Sequence, residues 1–124
     1  VYGADTLSGI MGDTDQIAAE KGIQLSWFQS NIEGELVECI QSAQNGYDGI
    51  IINPAAYGHT SVALRDALLA VALPTVEVHL TNLLKREEFR HRTLTGDVAV
   101  GQINGFGAYG YQLAVHALYQ HLAG

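Results

Sequence analysis

The segment from Gly49 to Arg65, GIIINPAAYGHTSVALR, constrains the fold more than any other part of this chain. Three isoleucines stop at Asn53-Pro54, a loop with Tyr57, Gly58 and His59 follows, and Thr60-Ser61 opens an amphipathic stretch. A short apolar run bounded by turn residues reads as a buried strand, and Ser or Thr ahead of helical spacing reads as a helix cap. The run from Thr75 to Leu80 repeats the pattern and ends in Thr81-Asn82. In an open α/β sheet, ligands bind outside the carboxyl ends of the strands. Asn53, His59, His79 and Thr81 all fall at that end.

The rest of the chain continues the alternation. Apolar runs predict strands at 23–29, 50–53, 75–80 and 98–103. Helical spacing predicts helices from Thr6, a cap, to Gly22, a terminator, and over 33–45, 61–71 and 106–122. The stretch 82–94 is polar and charged and reads as part helical turn. Strands alternating with helices imply a parallel sheet covered on both faces. The predicted architecture is therefore a single α/β, flavodoxin-like domain over 1–124. In that fold's strand order, 2-1-3-4-5, the first strand is central. The chain opens with a helix, so 23–29 would have no neighbour. The expectation is a domain incomplete at its N-terminus, with a further strand ahead of Val1.

Composition sets the outer bounds. The 124 residues are 48% hydrophobic and 15% charged, a globular profile. A net charge of −7 excludes an extended basic footprint for nucleic acid. The local cluster Lys85, Arg86, Arg90 and Arg92 suits a small anion instead. Cys39 is the single cysteine, so no internal disulfide forms and a reducing, cytoplasmic setting is expected. No apolar run approaches the ~20 residues of a membrane span, so no membrane role is expected, and no signal peptide is expected.

Several side chains carry chemistry. Glu77 and His79 are two apart on one strand and share a face. A carboxylate beside an imidazole orients it and favours its charged form, as a general acid requires. A hydrogen-bonded core histidine is the competing reading. Asn53 is either a ligand-facing amide or a turn residue holding its own loop. His59 is alone in its loop, and no HxxxH or HxH spacing exists, so no metal site is expected. Arg65 and Asp66 read as surface or interface charges. The glycine-rich GQINGFGAYG lacks a Walker lysine and GxGxxG phasing, and reads as close strand–helix packing. His116 and His121 read as exposed helix residues.

The pieces VYG, WFQSNIEGEL, DGIIINPAAYGHTSVALRDALL, PTVEVHLTN, REEFR and GFGAYGY together resemble the type II 3-dehydroquinate dehydratases, over nearly the whole chain. The resemblance implies dehydration of 3-dehydroquinate to 3-dehydroshikimate by anti elimination through an enolate, without metal or cofactor. It implies Tyr2 as the base and His79 as the general acid, supported by Glu77. It implies Asn53, Leu80 and Thr81 around the substrate carboxylate, and His59 and Arg90 at ring hydroxyls. Asp66 would reach across a subunit interface in a dodecamer, a tetramer of trimers. The pathway would be shikimate biosynthesis or quinate breakdown. An arginine before the tyrosine and an asparagine on the first strand have no counterpart here. Ala55 stands for a usual glycine, Gly58 for a usual threonine, Leu83-Leu84-Lys85 for a common Ile/Val-His-Ala, and Arg92 for a common histidine. A non-catalytic flavodoxin-like domain that binds small carboxylates is the alternative.

Overall fold

A computed structural model describes residues 6–124. Helix α1 spans Leu7–Glu20, and Thr6 caps it by accepting from the Gly9 amide. Ile10, Thr14 and Ala18, spaced four apart, are its buried stripe. The chain leaves it at Gly22, φ +73°, a left-handed position that glycine adopts without strain. Helix α2 spans Glu33–Ser42, with Glu33 and Glu35 at its positive end. Helix α3 spans Val62–Val71 and is capped by Ser61, whose Oγ accepts from the Leu64 amide and donates to Glu33. Its Leu64, Ala67, Leu68 and Val71 are buried at helical spacing. Helix α4 spans Tyr109–Ala123.

Strands β1 (Ile50–Ile52), β2 (Thr75–His79) and β3 (Gly101–Asn104) form one parallel sheet in the order β1-β2-β3. Side chains alternate across it. Ile51, Val76, Val78 and Ile103 pack against Ala114 and Leu118 of α4 on one face. Ile50 and Ile52 pack with Ile40 of α2 and Leu64, Ala67, Leu68 and Val71 of α3 on the other. The result is the predicted three-layer α/β arrangement. The register pairs Ile52 with Glu77, Glu77 with Gln102, and His79 with Asn104. The α3 face of β2 and β3 therefore carries a polar block of Glu77, His79, Gln102 and Asn104 beyond the isoleucines.

Two predictions are corrected. The stretch 23–29 forms no strand among the described residues. Its period-two alternation survives, with Ile23 and Leu25 half-buried and Gln24 and Ser26 exposed. A strand exists only through its ladder, and no described residue pairs with this stretch. The last strand also begins three residues late, because Gly96–Val98 is a 3₁₀ turn. The polar stretch after β2 folds as 3₁₀ turns at Leu83–Lys85 and Glu88–Arg90, close to expectation. No helix among the described residues is long and apolar enough to cross a membrane.

Candidate active site

Glu77 is fully buried in β2, and four side chains donate to its carboxylate. His79 Nε2 lies 2.8 Å from Oε2, Thr93 Oγ1 2.6 Å and Gln102 Nε2 2.7 Å, while Thr95 Oγ1 donates to Oε1. Burial is the largest influence on this group and pushes its pKa up. The hydrogen bonds from His79, Thr93 and Thr95, with the attraction of the His79 ring, outweigh it. The net result is a carboxylate held below the usual glutamate range and therefore ionised at neutral pH.

This carboxylate fixes the His79 ring, which is only 5% exposed. Nε2 is committed to Glu77, so the ring has one defined orientation and one remaining nitrogen for chemistry. His59 comes from the 3₁₀ turn Ala55–His59, and its ring centroid lies 6.1 Å from that of His79. Its Nδ1 bonds the Arg92 carbonyl at 3.0 Å. Two histidines twenty positions apart thus meet at the carboxyl end of the sheet.

Asn53 follows β1, and both ends of its amide are hydrogen-bonded within the protein. Its Oδ1 accepts from the Ala55 amide at 3.1 Å, as a turn residue, and its Nδ2 donates to Tyr111 Oη at 2.9 Å. One N–H remains for a ligand. Tyr111 lies in the first turns of α4 and also meets Trp27 edge-on, centroids 6.2 Å apart. Leu80 accepts from the Gly107 amide through its carbonyl, and Thr81 Oγ1 accepts from Arg86. Arg90 is bound to Glu87 at 2.9 Å, over the Phe89 ring, and makes no hydrogen bond to His79, His59 or Asn53. Asp66 is exposed on α3 and has no ion pair among the described residues. Tyr2 lies outside the described residues.

Sequence reading missed Thr93, Thr95 and Gln102. Gln102 is next to Glu77 only because of the strand register. The two threonines arrive on a loop between the last 3₁₀ turns. Arg65 holds that loop by donating to the Leu94 carbonyl at 2.8 Å and pairing with Asp97, which Arg92 also grips at 2.5 Å. The Arg92 hydrogen bond, reinforced by its charge and by Arg65, lowers the Asp97 pKa. Arg65 is therefore a loop anchor, not simply a surface charge. Among the described residues, no group of three His, Cys, Asp or Glu could hold a metal.

Residues 1–119 match the family model for class II dehydroquinases. The 3-dehydroquinate dehydratase of Bordetella avium is 56% identical over 98% of this chain and 85% of its own length. That of Prochlorococcus marinus is 52% identical over 98% and 84%. The crystal structure of a type II dehydroquinase from Butyrivibrio crossotus superposes with a TM-score of 0.90 at 42% identity, covering 95% of this chain and 83% of the other. The chain belongs to the class II dehydroquinase family.

Two of the departures expected from the resemblance have a physical reading in this fold. Ala55 sits at φ +50°. A left-handed alanine costs about 1–2 kcal/mol. Ala55→Gly relieves this strain but frees the unfolded chain, so the expected net gain is about 0.5–1 kcal/mol, read as a higher denaturant midpoint at unchanged slope. Gly58 is buried, and a Cβ there would meet Pro54 Cγ at 2.9 Å. A threonine at this position therefore requires Pro54 to sit differently.

Proposed function

We propose that this site dehydrates 3-dehydroquinate to 3-dehydroshikimate by anti elimination through an enolate, with His79 as the general acid. His79 gives a proton to the departing hydroxyl, the C–O bond breaks with its electrons going to oxygen, and water leaves. Tyr2 is the base that takes the proton alpha to the ketone. Asn53 and the backbone around Leu80 and Thr81 hold the substrate carboxylate, and His59 and Arg90 contact ring hydroxyls. The observation that carries the reading is the buried Glu77 carboxylate bonded to His79. It is a fixed counter-charge for a protonated imidazole at the sheet end where ligands bind. Membership of the family supports the substrate.

The same reading assigns the chain to shikimate biosynthesis or quinate breakdown. It also makes the working form a dodecamer built from trimers, with Asp66 reaching a neighbour's site. The exposure of Asp66 on α3, with no partner among the described residues, supports that role. The test is turnover of 3-dehydroquinate, followed by absorbance of the conjugated product, with light scattering on the same sample. Product formation that survives a chelator, from a large trimer-based assembly, is expected. Binding without product would leave a carboxylate-binding scaffold in place of an enzyme, and a fully active monomer would remove the Asp66 role.

A further inference from the structure

Among the described residues, Asn104 Oδ1 is a buried side-chain oxygen with no hydrogen-bond partner. Buried polar atoms are nearly always paired, and an orphan calls for a physical reason. The amide reaches this state through a chain of fixed choices. The ionised Glu77 carboxylate accepts only, so Gln102 turns its Nε2 toward it, and the same nitrogen donates to Thr93 at 2.6 Å. Gln102 Oε1 therefore faces the other way along β3. Asn104 turns its Nδ2 to that oxygen, at a long 3.4 Å. This leaves Oδ1 as an acceptor without a donor.

The location of that acceptor is informative. His79 and Asn104 are register partners on adjacent parallel strands. Such partners share a face of the sheet, with strands ~4.8 Å apart. Asn104 thus stands beside His79 as Gln102 stands beside Glu77. Both are at the carboxyl end of the sheet, His79 buried at 5% exposure and Asn104 half-buried with its Oδ1 covered. A ligand that reaches the His79 ring therefore comes alongside the amide of its register partner.

A hydroxyl about to receive a proton must present a lone pair to the acid and turn its own hydrogen elsewhere. We propose that Asn104 is a further catalytic residue, whose Oδ1 accepts the hydrogen of the hydroxyl that His79 protonates. The C–O bond breaks as the His79 proton moves to that oxygen, and the new water leaves with its original hydrogen still directed at Asn104. This rests on His79 acting as the acid.

The test separates this role from a structural one by sign. Removing an orphaned buried acceptor in favour of an apolar side chain relieves the fold, whereas removing a catalytic contact slows turnover. Asn104→Leu and Asn104→Ala are compared with the unaltered protein for 3-dehydroquinate turnover and thermal unfolding. The expected result is a kcat lowered about tenfold or more, KM within a few-fold, and for Asn104→Leu a Tm equal or higher. A kcat within about twofold for both variants overturns the proposal, as does a fall in kcat matched by a lower Tm in both. If the unaltered protein does not turn over, the acid reading fails and takes this one with it. An active protein with unimpaired Asn104 variants overturns this one alone.

Discussion

His79→Ala is expected to lower kcat for 3-dehydroquinate by about 10²–10⁴-fold while leaving KM within a few-fold, since a positioned general acid contributes on that scale to the transition state. Hydroxide is a poor leaving group, and without the imidazole proton it must depart as an anion into a site that contains the ionised Glu77. The three remaining donors, Thr93, Thr95 and Gln102, still satisfy that carboxylate. The variant therefore stays folded, and the loss is read in turnover. Steady-state kinetics on correctly assembled protein decide the matter. A kcat within a few-fold of the unaltered enzyme would assign the proton to another group.

Glu77→Gln acts on both fold and chemistry. An amide keeps one acceptor but turns an N–H toward donors that the carboxylate used to satisfy. With Glu77 fully buried, leaving such donors unpaired costs about 3 kcal/mol, a fall in Tm of roughly 10 °C for a chain of this size. The His79 ring also loses the group that holds it, so kcat falls by about tenfold or more even at temperatures where the variant is folded. The pH dependence carries the signature of the lowered pKa. Its stabilisation is fully present above the unfolded value, about 4.3, and disappears as pH falls through the lower folded value. The unaltered protein therefore loses stability below about pH 4 along a slope that Glu77→Gln lacks. Denaturant midpoints across acid pH measure this. Parallel profiles for the two proteins would mean that Glu77 is not held ionised by its neighbours.

Sequence alone was enough for the class of fold and for the end of the sheet that carries the candidate site. Apolar runs alternating with capped helices dictate a covered parallel sheet, because each run is too short and too apolar to stand as a helix or face water. The i, i+2 spacing of Glu77 and His79 put both on one face of a strand, since that relation is local. The stop of the isoleucine run at Asn53-Pro54 put Asn53 and the loop with His59 at the same end. Tertiary structure decided everything that depended on register and on loop return. Gln102 and Asn104 became neighbours of Glu77 and His79 only through strand pairing. Thr93 and Thr95 reached the carboxylate only because Arg65 and Asp97 tie their loop across the sheet end. The alternating run at 23–29 shows the same limit from the other side. Its pattern is that of a strand, but a strand is a pair of chains, and hydrophobic spacing within one segment carries no information about whether a partner lies alongside it.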